Sequence, residues 1–346
     1  MAKHKFSAPR KETPLREVTS LLDNMIEGRE YESVLSLRTA ENFDAIAEMR
    51  RSLDEISAIR KRPVICYLAN LYNLKIAANK SINLTDQFPF SEMVSCVPSS
   101  ESEVDVILVT PGGSGEQVAK FVDTLRPRFN DVAFILPDMA MSAGTIFAMS
   151  GNDILMGKNS YIGPIDPQVQ NSQGHFVPAQ AILTVVNDIQ VRGAEAIKNG
   201  LQPDWTDLQI LNRIDVKDIG NAINASKYSE ELVETYLKEY KFKNWLNHSS
   251  NGNVVTDDKK SMRAKEIANK LCRHELWKTH SRGISREVAW NECRIKITNF
   301  ESIPGLDNAM RRFWALAYWM CDITPIYKFF VSKTYTLLRY DANLIK

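Results

Sequence analysis

Residues 104–129 read VDVILVTPGGSGEQVAKFVDTLRPRF, and their order decides the fold. Val104 to Val109 is apolar apart from Asp105, the texture of a strand covered on both faces. Thr110 to Gly113 then ends the strand, and two successive glycines let the backbone turn sharply and approach a ligand with no Cβ in the way. Beyond Ser114 the spacing of Val118, Phe121, Val122 and Leu125 predicts a helix with one apolar side.

The neighbouring segments repeat this pattern. DVAFILP (131–137) predicts a second buried strand, SAGTIFAMSGN (142–152) a helix of small residues, and DILMG (153–157) a short strand. SYIGPIDPQV (160–169) reads as a rigid loop punctuated by glycine and proline. Upstream, RPVICYLANL (62–71) is a β-rich run, and INLTDQFPFSEMV (82–94) a turn and a helix. Strands alternating with helices predict an α/β core with a mainly parallel sheet, flanked by N- and C-terminal helical segments.

The expected organisation is a disordered basic arm over 1–14, a helical lead-in over 15–60, the α/β core over 61–200 and a helical extension over 201–346. After Pro178, one helical face carries Ala179, Ile182, Leu183, Val186, Ile189, Gly193 and Ala196. HSSNGNVVTDDKK (248–260) reads as an exposed loop, and the aromatic tail from Leu306 as helical.

Composition excludes several classes. The 346 residues carry a formal net charge of +1, so no global field draws the chain to nucleic acid or acidic lipid. Five scattered cysteines without a CxxC pair argue against a disulfide framework or a zinc knuckle and suit a reducing compartment. The basic N-terminus lacks the apolar region of a secretory signal, and FWALAYWM (313–320) is too short to span a bilayer, which predicts a cytoplasmic protein without a membrane span. No metal or nucleotide cofactor is expected: there is no HExxH, PGGSG lacks the G-K-[ST] of a P-loop, and GxGxxG is absent.

Ser142 stands where a helix starts after a buried strand. A serine there can cap the helix, or it can present its hydroxyl to a carbonyl held against N–H donors, since the Ala143 amide is one of the unpaired donors of a helix N-terminus. SAG or TPGG alone means little; the two at neighbouring strand ends, followed by GPIDPQ, are far more specific.

VILVTPGGSGEQVAKFVDTLR (106–126), VAFILPDMAMSAGTIFAMSGNDILMGKNSYIGPIDPQV (132–169) and RPVICYLAN (62–70) resemble the ClpP/crotonase superfamily. Within it they are most similar to the signal peptide peptidase A-like proteins and the serine dehydrogenase proteinases. The resemblance covers roughly residues 60–200. It implies a serine peptidase that cleaves peptide bonds through an acyl-enzyme, with Ser142 as nucleophile, Gly113 (with Gly112) and Ala143 as oxyanion donors, peptide or protein as substrate, and a ring or other homo-oligomer as the working form.

A serine hydroxyl needs a base to become a useful nucleophile near neutral pH. The ClpP-type histidine has no counterpart in GPIDPQV, and the low intrinsic pKa of an aspartate makes Asp166 a poor substitute that more naturally pins the loop. Signal peptide peptidase-like enzymes use a desolvated lysine, for which Lys198 falls in the window, although it shares a polar helical face with Gln180, Thr184 and Asn187. His175 lies in NSQGHF near the site, and His274 and His280 flank ELWKT. His280, followed by Arg282 and Gly283, matches the family's tendency and is the second candidate. The competing readings are a ClpP-fold scaffold that binds a peptide or partner without catalysis, and nucleic-acid binding through the basic helices of 263–297. Balanced charge favours a packed extension for the latter, so no nucleic-acid partner is expected.

Overall fold

The computed structural model describes residues 44–172, 174–248 and 252–344. The expected arm over 1–14 and the first part of the lead-in, up to residue 43, lie outside the described residues, as does the side chain of His274. The first helix, α1 (Ala45–Arg60), starts at Asp44, whose carboxylate accepts the Ile46 and Ala47 N–H groups, and stops at Lys61 in the left-handed conformation. It buries Met49, Leu53 and Ile56 at the three- and four-residue steps read from the sequence.

The core alternates as predicted. β1 (Val64–Ala69) leads through a 3-10 turn to α2 (Gln87–Ser95). Then follow β2 (Glu103–Val109), α3 (Gly115–Leu125), β3 (Asp131–Leu136), the two-residue β4 (Met139–Ala140), α4 (Ala143–Met149), β5 (Asp153–Met156) and β6 (Tyr161–Ile162). The GPIDPQV loop continues into a small hairpin of β7 (Gln168–Gln170) and β8 (Phe176–Pro178). A helical arm follows, α5 (Ala179–Lys198), α6 (Trp205–Leu211) and α7 (Val216–Tyr236), the last running into a π-helical segment, Leu237–Lys241. α8 (Asp257–Cys272), the short α9 (His274–Trp277), α10 (Arg286–Cys293), β9 (Thr298–Asn299) and α11 (Leu306–Ile323) complete the helical part.

The last described elements depart from the helical tail read from the sequence. After Pro325 the chain forms β10 (Ile326–Ser332) and β11 (Thr336–Tyr340), an antiparallel hairpin. β10 pairs antiparallel with β1, and the seven-stranded order is β11-β10-β1-β2-β3-β5-β9, parallel from β1 to β9. Pro325 stops the helix, and IYKFFVS has the β-branched and aromatic content a central strand needs.

Strand side chains alternate between two apolar layers. Tyr67, Val106, Leu108 and Phe134 face a core shared with α2, α3, α4, α7 and α8, whereas Cys66, Leu68, Ile107 and Ile135 face α1 and α11. Asp105, the polar exception in β2, is buried under Arg60 at 2.6 Å. Burial raises its carboxyl pKa, and Arg60 and Arg62 oppose that. Ala264, Ile267 and Leu271 of α8 are buried in the first core, and the basic side chains nearby bind within the fold, Lys270 to the Glu292 carbonyl and Arg263 to that of Cys293. The region 263–297 is thus a packed extension.

Lys241 ends the π-helical segment with its side chain only 6% exposed and its ammonium 3.9 Å from Asp153. Burial lowers its pKa from 10.5 to about 8, with Asp153 opposing and Lys296 adding to the fall. The unfolded chain therefore holds more protons between these values, so this group's contribution to stability rises with pH across that window. Lys241→Met is expected to raise stability at pH 7 by on the order of 3 kcal/mol and to remove that part of the rise between pH 8 and 10, measured by urea unfolding of both proteins.

Candidate active site

The carboxyl ends of β2 and β3 are stitched together before either reaches the cavity. Thr110 donates its N–H to the Met139 carbonyl, and Met141 returns one to the Thr110 carbonyl, both at 3.0 Å. The Thr145 hydroxyl, fully buried, contacts the Ala140 and Gly163 carbonyls and accepts the Gly163 N–H. Small residues are required here, because a Cβ on Gly144 would lie 2.4 Å from Thr110 Cγ2.

Ser142 is held in an unusual conformation, φ 50° and ψ −115°. Lys61 and Arg294 also have positive φ, but in the left-handed helical region that ends helices; Ser142 lies outside it and carries backbone strain. It precedes α4, yet its side chain makes no capping hydrogen bond. The plain capping role therefore does not occur, and the hydroxyl faces a cavity of about 610 Å³.

Gly112 and Gly113, at φ 97° and 143°, bring the β2 turn against the serine. A Cβ on Gly112 would lie 2.8 Å from Ser142 Cβ and 3.2 Å from the Ala143 nitrogen. The Gly112 N–H is already given to Thr110 Oγ1 at 3.1 Å. The N–H groups of Gly113 and Ala143 reach no acceptor among the described residues, and both residues line the cavity with Ser142. Of the three positions expected to donate, Gly113 and Ala143 leave their N–H groups without an acceptor among the described residues, whereas that of Gly112 is taken by Thr110.

His280 lines the same cavity. Its loop is tied in by the Ile162–Ile284 pair, which exchanges both hydrogen bonds, and β6 in turn pairs with β4 just ahead of Ser142. Its Nδ1 is buried and meets no hydrogen-bond partner among the described residues. Lys198, by contrast, is exposed as the last residue of α5 and does not line the cavity; the solvated-face alternative holds for it. His175 is exposed in the β7–β8 turn. Asp166 is 2% exposed and sits close enough to Cys272 for its charge to raise that thiol's pKa.

Sequence reasoning missed the other walls. Asn79, Ser81 and Ile82 close one side, and Tyr228 and Ser229 of α7 another. Burial, with Glu116 and Asp123, raises the Tyr228 pKa. None of these positions belongs to a local motif that could have signalled it. Among the described residues no group of three or more His, Cys, Asp or Glu is placed to hold a metal ion, and no helix is long and apolar enough to cross a membrane.

Residues 35–202 match the family model described as ClpP-like SDH-type serine proteinase, which bears out the resemblance seen in the sequence. Two uncharacterized proteins of Methanocaldococcus jannaschii are similar: MJ1495, 30% identical over 139 residues, and MJ0137, 29% identical over 120 residues. The matches cover 39% and 35% of this chain and 42% and 39% of those proteins, so the chain spans about two fifths of the length of these relatives. Among solved structures, a serine-to-alanine mutant of the 1510-N membrane-bound stomatin-specific protease aligns with TM-score 0.36 and 13% identity, covering 63% of this chain and 74% of that one. A lysine-to-alanine mutant of the same protease, in complex with a substrate peptide, aligns with TM-score 0.37 and 15% identity, covering 63% and 70%.

Gly113→Ala would place a Cβ 2.3 Å from the Ile82 carbonyl oxygen and force a φ that only glycine adopts easily. Thermal unfolding is expected to show a loss of about 2 kcal/mol or more. A change under about 0.5 kcal/mol would mean that the turn relaxes freely.

Proposed function

We propose that the protein is a serine peptidase that cleaves peptide bonds through an acyl-enzyme on Ser142. His280 takes the proton from the hydroxyl and later returns it to the leaving amine. The Gly113 and Ala143 N–H groups receive the oxyanion. The observation that carries this reading is the convergence in one cavity of a strained, uncapped serine, two N–H groups without acceptors and an imidazole with an unpaired buried nitrogen. The exposure of Lys198, outside the cavity, favours His280 over it as the base in this reading.

The cavity opens beside the β7–β8 hairpin, where Gln168 and Phe176 line it, and this suits an extended peptide or protein substrate. A homo-oligomer is the working form in this reading, and the arm α5–α7 exposes Val191, Ile197, Trp205 and Val216, which a partner copy could cover. Five free cysteines suit a reducing compartment, in keeping with a cytoplasmic protein.

Labelling with a fluorophosphonate serine-hydrolase probe tests the chemistry. The wild type is expected to label and Ser142→Ala not at all. His280→Ala should slow labelling by about 10²–10⁴-fold, while Lys198→Ala leaves it unchanged. Absence of labelling in the folded, assembled wild type would overturn this reading in favour of a peptide-binding scaffold.

A further inference from the structure

The free N–H of Gly113 has a direction, and a lysine far away in the chain sets it. Ile82 donates its N–H to the Gly112 carbonyl at 2.7 Å and accepts the Ser114 N–H at 3.0 Å, a one-residue parallel strand pairing that straddles Gly113. In such a pairing the N–H and C=O of the straddled residue point away from the partner strand. The Gly112 carbonyl and the Gly113 N–H belong to one peptide unit, which is planar and trans, so fixing the first turns the second away from Ile82.

The same logic applies one unit further back. The Ile82 N–H shares a peptide unit with the Ser81 carbonyl, and that carbonyl accepts a hydrogen bond from Lys328 Nζ at 2.7 Å. Lys328 lies on β10, fully buried, and its ammonium also binds Asp86 Oδ2 at 2.6 Å. Asp86 is itself buried and accepts from the Tyr67 hydroxyl at 3.0 Å and the Asn83 N–H at 3.1 Å. Arg339 of β11 donates to the Thr85 carbonyl at 2.5 Å. The strap over residues 81–86 is therefore clamped at Ser81, Asn83 and Thr85.

We propose that Lys328 is a positioning residue for the oxyanion donor: through the Ser81–Ile82 and Gly112–Gly113 peptide units, its ammonium orients and polarises the Gly113 N–H. A cation on the first carbonyl strengthens the next N–H as a donor, and hydrogen bonds in such a chain reinforce one another. This is why a buried lysine occupies a central strand where an apolar residue would pack more simply. Its pKa is lowered by burial, and the Asp86 carboxylate opposes the fall. The inference rests on Ser142 and Gly113 serving as proposed above. It extends the site to residues outside the stretch that matches the family model.

The test is the rate of Ser142 phosphonylation by a fluorophosphonate, resolved into the affinity for the probe and the limiting rate. Lys328→Met is expected to lower the limiting rate by about 10–100-fold, below the full loss of an oxyanion donor, with affinity within about twofold. Lys328→Arg, which keeps a cation within reach of Ser81, should restore most of the rate. Should Lys328→Met not fold, the double variant Asp86→Asn/Lys328→Met removes both charges of the buried pair, keeps an acceptor for the Tyr67 hydroxyl and the Asn83 N–H, and leaves Arg339 on the Thr85 carbonyl. The same fall is expected in it. A folded Lys328→Met or double variant that reacts at the wild-type limiting rate overturns the proposal alone. A wild type that does not react overturns the Ser142 reading and this inference with it.

Discussion

Ile82 forms a strand pairing one residue long, and the orientation of the turn at Gly113 beside Ser142 depends on it. The turn after β2 contains two glycines at positive φ, a geometry with little intrinsic preference for one orientation. Ile82 removes that freedom by bonding on both sides of Gly113, and the space left there admits no side chain at all. Opposite it, Gly112 touches Ser142 and Ala143. The glycine turn is thus pressed between the strap and Ser142.

Strain at Ser142 fits the same scheme. A serine at φ 50° and ψ −115° costs about 1–3 kcal/mol relative to an ordinary conformation. The surroundings over-determine it: the Thr110 exchange with Met139 and Met141 fixes the approach, and Thr145 ties α4 to the Ala140 and Gly163 carbonyls. The cost is met by the cooperative stitching of two strand ends and one short helix, so loosening any of these threads would let the serine relax into a normal helix cap.

The parts legible in the sequence are those whose causes are local. Alternation in β2 and β3 with both faces covered produces continuous apolar runs, and SAG and TPGG sit next to the strands they terminate. Ser142, Gly113 and Ala143 could be placed at the strand ends for that reason. The β10–β11 hairpin was not, because Lys328 in IYKFFVS looks like a surface residue until its partner Asp86, far upstream, is known. Ile82 carries no chemical signal, since only its backbone acts. Lys198 and His280 could be weighed but not decided from spacing: a lysine at a helix end and a histidine in a loop differ only in where the fold carries them.

The hydrogen bonds from Lys328 to Ser81 and from Arg339 to Thr85 span 247 and 254 positions. A ribosome working at roughly 5–20 residues per second delivers β1 to β5 many seconds before β10 exists. During that interval β1 has an open edge, and the strap is held through Asp86 and Ile82 without the clamps from Lys328 and Arg339. The clamp proposed to orient the Gly113 N–H is consequently completed late in the biogenesis of the chain. In the proposed reading, a half-made molecule carries Ser142 before the full clamp on the strap beside Gly113 exists.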